Sequence, residues 1–170
     1  DAEINVYRQN VDAGDFDFFA DKILAPIGGE FTQAASILSN NGNISQSVDA
    51  DSFGIGFSGY ANRGDAKAVT LKGSCGIYSK PSDFSIKTEE YPLSRRLAVY
   101  VPDRTLPSVA QDLVDYLGAD AAQQVVLNAG YVSLDVSELS VDDQGLRFAS
   151  AILSASGGVG LNNLQLMTNK

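Results

Sequence analysis

The chain has 170 residues, enough for one domain with its own core or for one and a half small lobes. Its 21 acidic and 12 basic residues give a net charge of -9, and no basic run supplies the surface that nucleic-acid binding needs, so that partner is excluded. There is no His and a single Cys, which removes imidazole bases, Ser-His triads and the common zinc and thiolate sites. The chain therefore reads as non-enzymatic, with no catalytic residues, no metal and no cofactor.

The stretch Val6 to Leu24 reads as a strand ending at Arg8, a glycine-bearing loop and a helix. A helix N-terminus opening onto such a loop can hold an anion, because its first N–H groups lack intrahelical partners. Asp12 and Asp15 have the spacing of a capping box, Phe16, Phe19, Ile23 and Leu24 share one helical face, and Pro26, Gly28 and Gly29 stop the helix. The spacing of Asp12, Asp15 and Asp17 lacks the later ligands of a calcium loop, so it is read as structural.

Thr32 to Leu38 shows a weak helical pattern, followed by a turn cluster at Ser39 to Asn43 in which Asn40, Asn41 and Asn43 are read as a plain turn in preference to ligand contacts. A short helix is expected from Ile44 to Ala50, then a glycine-containing strand from Phe53 to Phe57 that leaves room for a neighbouring backbone. Ala66 to Leu71 reads as a strand and Lys72 to Tyr91 as a loop-rich excursion containing Cys75, which has no redox mate. Leu97 to Val101 has the strongest strand pattern in the chain. Arg95 and Arg96 follow Glu89 and Glu90, which favours at least one structural ion pair over an anion clamp. Helices are expected after Pro107, over Ala121 to Ala129 with Gly130 as the C-terminal cap, and from Ser140 onward. Ser154 to Lys170 reads as a linker or tail. No run of about 18 apolar residues is present to span a membrane, and the start at Asp1 fits a processed or excised piece.

Four segments resemble the periplasmic phosphate-binding proteins, the substrate-binding subunits of phosphate ABC transporters. Asp12-Ala13-Gly14-Asp15-Phe16-Asp17-Phe18-Phe19 is similar to the family's Asp-Ser-Gly-Thr-Phe-Asp-Phe-Phe. Val48 to Tyr60 resembles the stretch leading into its Gly-Tyr strand, Tyr91-Pro92-Leu93-Ser94-Arg95-Arg96-Leu97 its Tyr-Pro-Leu-Ser-Arg-Pro-Leu motif, and Asn128 to Val132 its final turn. The resemblance spans about residues 1–135. It implies an α/β fold of the type II periplasmic-binding-protein kind: a mixed sheet flanked by helices, with the second lobe over about 1–93, a return segment of the first lobe over 94–135, and a helical extension and linker over 136–170. On this reading the first lobe is incomplete.

The resemblance also implies a small-oxyanion site formed by Arg8, Ala13, Gly14 and Asp15, a periplasmic or cell-envelope location, and an ABC transporter permease or envelope component as partner. Ala13 and Asp15 stand where the family has hydroxyl donors, and Asp15 adds a negative charge. Two like charges about 4 Å apart at an effective dielectric of about 20 repel by about 4 kcal/mol, which equals the whole free energy of millimolar binding. The oxyanion site is therefore expected to be degenerate or altered, unless Asp15 instead caps the helix or pairs with Arg8 and leaves a loop that binds nothing. The alternative function is a structural or interaction module of a larger envelope protein, fused to a peptidoglycan-binding domain. An incomplete lobe exposes strand edges, so a homodimer is also expected.

Overall fold

The computed structural model describes residues 3–73 and 76–155. They fall into two compact units, Asp1–Ala68 with Asp120–Ser133, and Val69–Ala119 with Leu134–Lys170. Both are built from helices and small sheets, so the α/β class is observed. Cys75 and nearly all of the expected linker from Ser154 onward lie outside the described residues.

In the first unit, β1 (Asn5–Gln9) leads through a turn into α1 (Gly14–Phe19), which continues as a π-helical turn over Ala20–Leu24 and a 3-10 turn over Ala25–Ile27. The stop falls where Gly28 was expected to place it. Gly28 adopts φ +64, its N–H donates to the Ala25 carbonyl and that of Gly29 to the Leu24 carbonyl. This double closure needs a left-handed residue, which glycine provides without strain. The aromatic residues then stack: Phe16 on Phe31 at 4.2 Å and Phe19 on Phe57 at 4.3 Å between ring centroids.

The weak helical pattern at Thr32 to Leu38 is overturned. Ser36–Leu38 forms β2, because pairing with β1 through Tyr7↔Ser36, Arg8↔Ile37 and Gln9↔Leu38 outweighs a marginal local periodicity. Helix α2 (Asn41–Ala50) begins three residues before its expected start, capped by the Asn40 side chain, which accepts from the Asn43 N–H at 2.9 Å. Strand β3 (Gly54–Gly56) then pairs on the other side of β1, giving a parallel sheet of order β2-β1-β3.

Gly56 explains the glycine there. A Cβ on it would lie 2.8 Å from the Ile44 side chain and 2.9 Å from the Tyr7 carbonyl oxygen. Ile44 of α2 is 1% exposed, and with Ala122 it is one of two buried apolar side chains among the described residues. Ala122 belongs to α3 of this unit's second segment, Asp120–Asn128. That helix ends as expected at Gly130, φ +81, where the Gly130 and Tyr131 N–H groups donate to the Leu127 and Val126 carbonyls.

The second unit holds an antiparallel pair, β4 (Leu71–Lys72) with β5 (Tyr78–Ser79), and helices α4 (Asp83–Lys87), α5 (Ser108–Leu117) and α6 (Val141–Ala155). Ser140 caps α6 as expected, accepting from the Asp143 N–H at 3.0 Å. Two strand expectations are corrected. Ala66 to Leu71 is strand at Leu71 alone, and Leu97 to Val101 is in no strand. Alternation gives a segment β-propensity but not the neighbour that a strand requires.

Candidate functional site

Because β1, β2 and β3 are parallel, their carboxyl ends share one edge, and the loops leaving it lead into α1, α2 and a 3-10 turn at Tyr60–Asn62. In open α/β sheets ligands bind beyond this edge, where helix N-termini converge. All four residues expected at the oxyanion site lie here: Arg8 on β1, Ala13 in the β1–α1 connection, and Gly14 and Asp15 in the first turn of α1.

Ala13 is the N-cap of α1 with extended backbone (φ -86, ψ 130) and no side-chain capping bond. The expected capping box between Asp12 and Asp15 therefore does not form. The helix starts one residue later than that spacing requires, and Asp12 instead accepts from the Asn10 amide at 3.3 Å. The turn also uses N–H donors: Ala13 N–H donates to the Asn10 carbonyl at 3.1 Å and Phe16 N–H to the Ala13 carbonyl at 2.8 Å. Gly14 opens α1, with nothing within 4 Å of where a Cβ would be.

Asp15 is in the first turn of α1, where a carboxylate suits the helix dipole. Its Oδ2 accepts from Asn41 Nδ2 at 2.8 Å, which ties the start of α1 to the start of α2. Gly59 borders the same place: a Cβ there would lie 3.4 Å from Asn41 Nδ2 and 3.8 Å from Asp15 Oδ2. Ser45, one turn further along α2, donates to the Asn62 carbonyl at 2.6 Å and lies 3.1 Å from the Ser58 hydroxyl, fixing the β3 loop to α2.

Arg8 is paired within β1. Its guanidinium lies 5.3 Å from the Phe16 ring centroid and 5.7 Å from that of Phe31, and Nη1 donates to the Gln9 carbonyl at 3.0 Å. Its Nε is buried without a hydrogen-bond partner, and so is Asn41 Oδ1. One unsatisfied donor and one unsatisfied acceptor thus stand on elements that meet at this edge. Native interiors seldom leave such atoms unpaired.

Asn41 is the residue that sequence reasoning undervalued. Its signal was its position, at the first helical residue after β2. A second network was not legible at all. At the amino end of the sheet, Asp51 accepts from Asn5 Nδ2 at 2.8 Å, Tyr7 Oη at 2.9 Å and the Phe53 N–H at 3.0 Å. Donation by the Phe53 N–H first, then by Asn5 and Tyr7, holds the Asp51 carboxyl below the usual carboxylate range, and the bond to Asp51 raises the Tyr7 phenol.

In the second unit Arg96 pairs with Glu89, and Arg147 pairs with Glu90 through a bond of 3.2 Å from Nε and a second from Nη2. This supports the structural reading of Arg96. Among the described residues no group of His, Cys, Asp and Glu side chains could hold a metal ion, and no helix is long and apolar enough to cross a membrane.

No protein-family model matches the chain. Among curated proteins it is 30% identical over 141 residues to the phosphate-binding protein PstS of Staphylococcus haemolyticus, a match covering 78% of this chain and 42% of that protein. It is 29% identical over 139 residues to the PstS of Staphylococcus epidermidis, with 78% and 41% covered. Among solved structures it is similar to a phosphate-binding protein of a Streptococcus pneumoniae phosphate ABC transporter (TM-score 0.61, 19% identity, 81% of this chain and 54% of that one). It is also similar to a phosphate ABC transporter substrate-binding protein from Clostridium perfringens, solved with bound phosphate (TM-score 0.58, 22% identity, 79% and 54%). The structural matches establish the fold, and the sequence matches carry the kinship. The chain is similar in sequence and fold to phosphate-binding proteins of phosphate ABC transporters, and it spans less than half the length of the curated relatives it matches.

Proposed function

We propose that this chain is a non-enzymatic solute-binding domain of the phosphate-binding type, with an oxyanion site altered by Asp15. The observation that carries the proposal is the 2.8 Å bond from Asn41 to Asp15 at the carboxyl edge of the parallel sheet. A carboxylate held there occupies the place where an anion would meet the N-termini of α1 and α2. Arg8 and Gly14 keep the loop's form, while Ala13 offers no hydroxyl. The domain would act in the periplasm or cell envelope and hand its solute to an ABC transporter permease, as the names of its relatives support.

The test is calorimetric titration of the chain with phosphate and with sulfate, alongside the Asp15→Thr variant. The expected result is no phosphate binding at micromolar affinity by the wild type and a measurable gain in the variant, since the substitution removes about 4 kcal/mol of like-charge repulsion. Micromolar binding of phosphate by the wild type would overturn the altered site. The Asn41–Asp15 bond also favours a second reading, a structural or interaction module whose self-satisfied loop binds no anion. Silence from both proteins would select it.

A further inference from the structure

The turn that follows α3 lies against the 3-10 turn Tyr60–Asn62, and we propose that Gly130 is a positioning residue for the carboxyl-edge site, acting through that contact on the Asn41–Asp15 pair. The proposal rests on the reading of this edge as an altered anion site. A Cβ on Gly130 would lie 3.1 Å from the Ala61 Cβ, 3.2 Å from its Cα and 3.2 Å from its carbonyl oxygen. Two of these three atoms are backbone, so a side chain at position 130 is accommodated only by moving the 3-10 turn. Ending a helix does not require this closeness: Gly28 is also left-handed, at φ +64, and has nothing within 4 Å of its Cβ position.

The 3-10 turn moves as one piece, because the Asn62 N–H donates to the Gly59 carbonyl at 2.9 Å and the Arg63 N–H to the Tyr60 carbonyl at 3.2 Å. Two contacts carry its displacement to Asn41. The first is Gly59, whose Cβ position lies 3.4 Å from Asn41 Nδ2 and 3.8 Å from Asp15 Oδ2. The second is Ser45, which is 5% exposed. Its hydroxyl lies 2.6 Å from the Asn62 carbonyl oxygen and 3.2 Å from that of Asn41. Asn41 has little slack to absorb the movement, since its Nδ2 is committed to Asp15 and its buried Oδ1 has no partner to hold it. Gly130 and the site thus belong to one chain of direct contacts inside the first unit.

The test compares Gly130→Asn with Gly28→Asn in the full chain, because Asn tolerates the left-handed region and only position 130 adds a close contact. Two readouts are taken: the Asn41 side-chain amide signals by NMR, and phosphate titration in the Asp15→Thr background. Gly130→Asn should shift the Asn41 amide signals and weaken phosphate binding by about two- to thirtyfold. Gly28→Asn should change neither. Adding Ala61→Gly, which removes the nearest contacting atom, should restore part of both in Gly130→Asn. Gly130→Ala brings the same Cβ with the smallest side chain and should act in the same direction. A Gly130→Asn chain that loses thermal stability while its Asn41 signals stay in place would overturn the proposal and leave Gly130 as a helix stop alone. Equal effects from positions 28 and 130, or no rescue by Ala61→Gly, would also overturn it. Failure of Asp15→Thr to bind phosphate would instead overturn the altered-site reading, with the Asn41 signals still deciding the positioning.

Discussion

The two ends of the parallel sheet in the first unit differ in how completely their polar groups are satisfied. At the amino end Asp51 gathers three donors, from β1 and from its own turn, and no side-chain atom described there is left orphaned. At the carboxyl end Arg8 Nε and Asn41 Oδ1 are buried without partners. The same five-residue strand runs into both, so the contrast is not one of sequence quality. Side-chain hydrogen bonding is complete around Asp51, and polar potential is left over where helix N-termini converge.

The largest effect should come from breaking the support that both ends share. Ile44→Ala removes the most buried apolar side chain, which packs beside Gly56, and should destabilise the fold by about 2 to 5 kcal/mol in chemical denaturation. If the loss were below that range, the sheet and α2 would not depend on one another as the burial implies.

The next effect sharpens the contrast by pH. The Asp51 carboxyl is held below the ordinary carboxylate range, so the charged form is favoured in the folded chain. Its contribution is therefore present above an ordinary Asp pKa of about 4 and is lost as pH falls through the lowered folded value. The Tyr7 phenol is raised, so its contribution is present below an ordinary Tyr pKa of about 10 and is lost as pH climbs through the raised folded value. Thermal melts across pH should show a plateau between these limits. Asp51→Asn should lower the plateau and flatten its acid limb, and an unchanged acid limb would remove Asp51 from the account.

The smallest effect should be at the other end. Asp15→Ala breaks a bond to a carboxylate and should cost no more than about 1.5 to 3 kcal/mol by denaturation. A larger loss would make Asp15 a structural tie first, and would weaken its reading as the residue that alters an anion site.

The candidate site was legible in part. The order of strand, glycine loop and helix from Val6 to Leu24 could be read because caps, stops and an aromatic face are local signals, as Gly28 and Gly130 show. The placement of Ala13 as N-cap was not, since one residue of helix phase depends on how α1 lies beside β1. Asn41 could be suspected from its turn cluster but not matched to Asp15, 26 residues earlier.

By itself the sequence determined the elements whose signals are local: the first helix and its stop, the helices after Pro107 and Ser140, a glycine-containing strand that lets a neighbour approach closely, and the motifs shared with the phosphate-binding proteins. Tertiary structure alone decided that Ser36–Leu38 is a strand, that Leu97 to Val101 is not, and that Asp15 meets Asn41 while Asp51 meets Tyr7. The physical reason is the same in each case. A strand, and a hydrogen bond between distant side chains, exist only when a partner is brought alongside, and that partner is set by the packing of the whole unit rather than by neighbouring residues.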